Sequence, residues 1–192
     1  MKAIGGKGFL KVLAILLSLV ILCLFLAECT EDARRERRML RFFESARKAA
    51  TEFSVPLPMI LAVMEAESDF HPEAVSDAGA SGLMQLMPDT FSFLRDERLC
   101  EDLPDTAIFD PAVNIRYGSC YLAYLYEKFG DWPTALAAYN AGEGRVQDWL
   151  EDPKLSPSGH LTAIPYPETA AYVDRVLSAH AAYSQKYPTH QE

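Results

Sequence analysis

Apolar residues fall along the chain in a few blocks with helical spacing, and strand-like alternation is nearly absent. The first block, Val12 to Ala27, runs sixteen residues without a charge and follows Lys2, Lys7 and Lys11. It reads as a membrane-targeting leader over residues 1–29, outside the fold. Residues 30–52 form a charged lead-in, in which Ala33 to Thr51 reads as an amphipathic helix with Met39, Leu40, Phe42, Phe43 and Ala46 as its stripe. Pro56 and Pro58 open a second helix to about Asp69, and His71-Pro72 stops it, because the residue before a proline is pushed out of the helical region. Gly79, Gly82 and Pro88 punctuate an irregular stretch, and Pro88 starts a short helix to about Leu94. Asp110-Pro111 starts a helix that runs to Phe129 and ends at Gly130. Asp131-Trp132-Pro133 starts another, which reaches about Asn140 before Ala141-Gly142 breaks it, and a short segment follows to about Leu150. Residues 151–166 hold three prolines and Gly159 and read as a loop, and Pro167 to Lys186 is the final helix. The pattern predicts a mainly α fold with one domain over residues 53–187 and at most a minor β element.

The composition, 49% hydrophobic and 23% charged over 192 residues, is that of a globular protein. Charge is more informative. Residues 30–52 carry a net +2, whereas residues 53–192 carry eight Lys and Arg against 21 Asp and Glu, a net −13. Such a domain lacks the basic patch that tracks phosphates, which excludes nucleic acid as a partner. The run RRERR at 34–38 either lies against anionic lipid headgroups, at about 1 kcal/mol per charge, or is the solvated start of a helix.

The leader has three fates. Cleavage near Ala27-Glu28-Cys29 and lipidation at Cys29 both meet Glu28 where a small residue is wanted. An uncleaved anchor is favoured: with Phe9 and Leu10 included, 19 residues at about 1.5 Å each approach the ~30 Å hydrocarbon core. Each fate places the domain outside the cytoplasm. There Cys100 and Cys120 either oxidise to close a loop worth roughly 3 kcal/mol or stay as unpaired thiols.

Candidate chemistry begins on the second helix. At about 100° per residue, Ile60, Val63, Met64 and Leu61 define an apolar face, and Glu67 falls within about 20° of Ile60. Glu65 and Asp69 lie toward the other side and read as ordinary surface acids. Burial penalises the ionised form, so Glu67 either holds a proton near neutral pH, as a general acid must, or pairs with an Arg such as Arg116 or Arg175.

Glu67-Ser68, then Ser76, Gly79-Ala80 and Gly82-Leu83-Met84-Gln85-Leu86-Met87-Pro88 resemble the catalytic domain of the soluble-type (SLT-domain) lytic transglycosylases, which share a lysozyme-like fold with goose-type lysozyme. The likeness continues in Ala138-Tyr139-Asn140-Ala141-Gly142 and in Ile164-Pro165-Tyr166, Glu168-Thr169 and Tyr172-Val173, over about residues 55–180 in the family's motif order. The resemblance implies that Glu67 protonates the glycosidic oxygen between N-acetylmuramic acid and N-acetylglucosamine in peptidoglycan. Glu67 then acts as base for the sugar's own 6-hydroxyl, which closes a 1,6-anhydro ring. One carboxylate suffices because water is not consumed, unlike in the usual two-carboxylate hydrolase.

The same resemblance gives roles to other residues. Ser76 either bonds the substrate's acetamido group or attacking hydroxyl, or caps the turn before Gly79. Gly79 and Gly82 read as positions where a side chain would block sugar or strain the turn. Met84 and Gln85 line the cleft, and Met87 belongs to the core. Tyr139 bonds Glu67 or substrate, Asn140 contacts substrate or only stops its helix, and Tyr172 partners Glu67. Ser68 and Glu168 are structural residues near the site. Tyr117, Tyr121 and Tyr124 form a stripe that packs in the core in preference to stacking on sugars. His71, His160, His180 and His190 have no metal-ligand spacing, so neither metal nor other cofactor is expected. His71 departs from the family's usual Asn, and Arg95 to Phe109 matches none of its motifs.

The function expected is therefore a membrane-anchored, periplasmic transglycosylase acting on peptidoglycan strands, alone or within a secretion or wall-assembly complex. A hydrolase on the same fold acting on peptidoglycan or chitin is the nearest alternative. A non-catalytic glycan-binding or envelope-assembly module is the alternative from another class.

Overall fold

In the computed structural model, which describes residues 6–157 and 159–188 (side chains of 6–12 and 14 excepted), the backbone is helical from Gly6 to Phe53. This helix, α1 (Gly6–Phe53), replaces the separate leader and Ala33–Thr51 helix expected from sequence. Cys29-Thr30-Glu31-Asp32 contains neither Gly nor Pro, and the Thr30 hydroxyl donates back to Ala27 O (2.8 Å) instead of capping a new helix. Lys2, the side chains of Lys7, Phe9, Leu10 and Lys11, and His190 lie outside the described residues.

The chain divides into two units, Met1–Arg38 and Met39–Glu192. In the first, Leu13, Ile15, Leu16, Leu17, Leu19, Val20, Ile21, Leu22, Leu24, Phe25 and Leu26 are each more than half exposed. Among the described residues no helix is long and apolar enough to cross a membrane.

The second unit is built around α2 (Leu57–Ser68). Every residue from Pro58 to Met64 is buried, so the helix is apolar on all sides and has no wet face. This corrects the amphipathic reading: Glu65 is partly buried and accepts the Tyr183 hydroxyl at 2.5 Å. Each fully buried Leu, Ile, Val or Met here contributes roughly 1.5–3 kcal/mol. Met39, Phe42, Ala46 and Ala49 also join this core, whereas Leu40, expected in the stripe, is exposed.

After α2 the chain turns at Asp69 and Phe70, both left-handed, with Phe70 fully buried. Two isolated antiparallel bridges, Val75 with Ser81 and Ser81 with Leu86, are the only β pairing among the described residues. Short α3 (Pro88–Phe93) passes into a π turn over Leu94–Leu99, and a 3-10 turn over Asp105–Phe109 follows. These turns occupy the stretch that matched no family motif. Leu94 and Ile108 join Leu86, Phe91, Tyr117 and Cys120 in a second small core. Arg95 ties the segment together through Leu103 O (3.1 Å), Asp96 (2.7 Å) and Asp105 (2.5 Å).

The remaining helices begin and end on local signals. Asp110 caps α4 (Pro111–Phe129) by accepting from Ala112 and Val113 amides, and Gly130 at φ 81° ends it. Asp131 caps α5 (Trp132–Ala141) through the Thr134 amide. Gly142 separates it from α6 (Glu143–Glu151), and α7 (Pro167–Lys186) closes the fold with Pro167 in its first turn. α7 packs on both α2 and α5, and α5 packs on α4 and α6.

Cys100 is exposed and Cys120 buried, and both are free thiols, so the disulfide considered between them is not formed. Arg116 binds Glu52 (2.6 Å) and Glu101 (2.7 Å) and is therefore not the partner of Glu67.

Candidate active site

Three helices meet at Glu67, which stands in the last turn of α2. The Tyr172 hydroxyl, from α7, donates to Glu67 Oε1 at 2.7 Å. Tyr139, from α5, feels the charge of Glu67, but its hydroxyl donates to Met84 O at 2.7 Å instead of to the acid. Burial raises the Glu67 pKa to about 7, against the smaller opposing effects of the Tyr172 hydrogen bond and the Arg175 charge. Burial and the nearby Glu67 charge in turn raise both tyrosines well above the ordinary phenol value, so each stays a neutral donor.

The segment between α2 and α3 is held against this acid by bonds that short-range patterns do not reveal. Ser68 Oγ lies 2.8 Å from Leu83 O and 3.1 Å from Met64 O. Asn114 of α4 is completely buried and fully satisfied: its Oδ1 accepts from Met84 N (2.8 Å), and its Nδ2 donates to Ser81 O (2.9 Å) and Ile108 O (3.0 Å). A Cβ on Gly82, whose φ is +80°, would sit 2.4 Å from Asn114 Nδ2. Gly82 is thus required by a buried amide and a left-handed turn. Asn114 was missed by sequence reasoning; its signal was a polar side chain among the apolar positions of α4, four residues after the cap.

Met84 does not line the cleft as expected. It is fully buried against Gly118, where an added Cβ would meet Met84 Sδ at 2.5 Å. Met87, expected in the core, is instead exposed and lines a hollow of about 220 Å³ with Gln85, Leu86, Thr90, Tyr121, Tyr139, Asn140, Ala141 and Gly142. The chain reverses in the turn Gly82–Gln85, left-handed at both ends and closed by the Gln85 amide on Gly82 O (3.2 Å); Met84 lies buried within this turn, and Met87 follows it, exposed. Gln85 Nε2 donates to Ala74 O (3.0 Å) and Gly82 O (2.9 Å), and Asn140 stands exposed at the end of α5.

Ser76 is exposed, and its Oγ accepts the Ala80 amide (3.0 Å), which leaves its hydroxyl hydrogen free to donate. Gly79 has open space around it, and only its φ of +90° calls for glycine. Glu168 is exposed in the first turn of α7. The tyrosine stripe divides: Tyr117 is buried with its hydroxyl on Glu101 (2.9 Å), Tyr121 lines the hollow, and Tyr124 donates to Glu143 (3.1 Å).

The raised acid has a consequence for stability. The unfolded chain ionises Glu67 near 4.5 and the folded chain only near 7, so above pH 4.5 the residue increasingly disfavours the native state. Glu67→Gln is expected to be more stable than the native chain at pH 8 by up to about 3 kcal/mol, the gain shrinking to nothing as pH falls toward 4.5. Thermal melts of both proteins across pH measure this, and destabilisation at pH 8 would mean that Glu67 is held ionised.

This geometry agrees with what the chain resembles. The Transglycosylase SLT domain family model matches residues 44–158. Soluble lytic murein transglycosylase of Escherichia coli K12 is 33% identical over 156 residues, covering 79% of this chain and 24% of that protein. Membrane-bound lytic murein transglycosylase C of Histophilus somni is 37% identical over 119 residues, 57% of this chain and 33% of that one. Among solved structures, an inactive Glu-to-Gln mutant of the lytic transglycosylase Slt from Pseudomonas aeruginosa superposes with a TM-score of 0.66 at 35% identity, over 74% of this chain and 24% of that one. The 70-kDa soluble lytic transglycosylase in complex with bulgecin A gives a TM-score of 0.70 at 32% identity, covering 80% of this chain and 25% of that one. The chain spans about a quarter of the length of the soluble relatives it matches. With the family model covering more than half of its residues, the chain belongs to the SLT-domain lytic transglycosylase family.

Proposed function

We propose that the domain is a peptidoglycan lytic transglycosylase with Glu67 as its single acid and base. The observation that carries this reading is a carboxyl in the last turn of the buried helix α2 that accepts the Tyr172 hydroxyl at 2.7 Å, a place where burial raises its pKa to about 7. Such a group is protonated often enough to act as an acid and ionised easily enough to act as a base in the same turnover. Glu67 gives its proton to the oxygen between N-acetylmuramic acid and N-acetylglucosamine, and that C–O bond breaks. The carboxylate then takes the proton of the muramoyl 6-hydroxyl as its oxygen bonds to the anomeric carbon. Glu67 is restored, and the product ends in a 1,6-anhydro ring without water entering.

Glu65, the nearest acid in sequence on α2, is engaged by Tyr183, which supports a one-carboxylate route. Ser76 has a hydrogen to donate to the substrate, and Gln85 and Asn140 line the hollow beside Tyr139. Tyr139 shapes the pocket while its hydroxyl holds Met84 O. The relative from Pseudomonas aeruginosa is inactive with a single Glu-to-Gln change, in keeping with catalysis by one carboxylate.

Digestion of purified peptidoglycan with the full-length protein in detergent, followed by mass analysis of the fragments, tests the reaction. Anhydro ends are expected, lighter by one water than hydrolysed ends. Hydrolysed ends would make the enzyme a hydrolase on the same fold, and the absence of new ends would make it a binding module.

We infer further that the N-terminal segment holds the protein at the membrane with the domain on its outer, wall-facing side. Support comes from the run of exposed apolar side chains between Leu13 and Leu26 and from relatives named membrane-bound. Detergent is expected to release the protein from membranes and high salt is not, since burial of methylenes at about 0.8 kcal/mol each is insensitive to screening. The arginines at 34, 35, 37 and 38 follow the apolar run on the domain side, an arrangement that opposes export of an uncleaved span. Protease added to spheroplasts therefore decides the orientation: digestion of the domain supports an outer location, and protection overturns it.

A further inference from the structure

Arg175 lies one turn beyond Tyr172 on α7, with its guanidinium 5.9 Å from the centre of the Tyr172 ring. Tyr172 is the residue whose hydroxyl meets Glu67 Oε1. Arg95, Arg98 and Arg116 are each engaged by acids, but among the described residues no carboxylate lies within ion-pair distance of Arg175. An uncommitted positive charge thus stands beside the tyrosine that holds the acid.

We propose that Arg175 is a positioning residue for the reaction, an exposed cation beside the Tyr172 ring that stabilises the carboxylate left at Glu67 once the proton has been given up. The assignment rests on Glu67 being the acid and deepens that reading. Burial alone favours the neutral carboxyl, and an acid that holds its proton too tightly transfers it slowly. Two groups oppose burial: the Tyr172 hydroxyl by a hydrogen bond and Arg175 by charge.

The remaining groups around Glu67 do not duplicate this role. Tyr139 on α5 is neutral and bonded to Met84, Glu65 on α2 is bonded to Tyr183, and Arg116 is bound to Glu52 and Glu101. Arg175 is the cation whose charge opposes burial at Glu67, and it stands beside the ring whose hydroxyl holds the acid. Its attraction is small while Glu67 is neutral and appears once the proton has moved to the leaving oxygen. It therefore stabilises the carboxylate formed during the reaction more than the resting acid.

Because Arg175 is exposed, the effect is screened by water and salt. The test is an NMR titration of the Glu67 carboxyl in the full-length protein in detergent, with ¹³C-labelled Glu and the resonance identified by its loss in Glu67→Gln. Arg175→Gln is expected to raise the Glu67 midpoint by about half a pH unit, and Arg175→Lys to restore it. Raising salt should narrow the gap between the native and Arg175→Gln midpoints, since the field of the other charges is screened alike in both proteins. The alkaline fall of activity should shift by the same amount. An unchanged midpoint in a folded Arg175→Gln protein, or a gap between the two midpoints that salt does not narrow, overturns the proposal. A midpoint that moves while the activity profile stays fixed supports the Arg175 assignment and overturns the reading of Glu67 as the acid.

Discussion

Glu67→Gln is expected to lose nearly all turnover while still binding glycan. The amide keeps the size of the side chain and an oxygen that can accept from Tyr172, so the junction of α2 and α7 is preserved. What disappears is the transferable proton and the base that recovers one. A general acid or base contributes roughly 10²- to 10⁴-fold, and here a single group performs both steps. Rates of release of soluble fragments, compared with sedimentation of the variant with insoluble peptidoglycan, separate chemistry from binding. Retention of more than about a tenth of the native rate would place the chemistry on another acid.

The largest effect on folding is expected at Asn114. Replacement by Ala strands Met84 N and Ile108 O in a buried place and leaves Ser81 O with the Leu86 amide alone (3.0 Å). Each unsatisfied group costs about 1–3 kcal/mol, so a loss of about 2 kcal/mol or more is expected. For a domain of this size that lowers the melting temperature by about 4–8 °C. Asn114→Asp keeps the acceptor for Met84 N but loses both donors and adds a buried charge, so it should be no better. A loss below about 1 kcal/mol for the Ala variant would show that the segment between α2 and α3 is held by its other bonds.

That segment marks where short-range reasoning ends. Ser68 and Asn114 reach over fifteen to more than thirty residues, and Gln85 over three and eleven, to hold the stretch around Met84, whose carbonyl in turn anchors Tyr139. A sequence motif shows that such residues recur together. It does not distinguish a Met that packs inside from one three positions later that faces the hollow, because the first lies within the tight turn Gly82–Gln85 and the second beyond it. On α2 the helical angle placed Glu67 on the buried side but misjudged Glu65, because Pro58–Met64 is covered on every side and offers no polar face from which to measure an angle.

The mainly helical class and most helix ends are legible in the chain, because caps at Asp110 and Asp131, prolines in first turns and glycines past last turns act within a few residues. Motif order also identified the family, since a set of side chains at fixed spacings is specific before any contact is known. Only the tertiary structure decided the environment of Glu67. Its hydrogen bond to Tyr172 spans 105 residues, Tyr139 approaches from a third helix, and Arg175 arrives with α7. Proton affinity depends on the water removed and the charges brought near, and both are settled when the helices pack, not when each one forms.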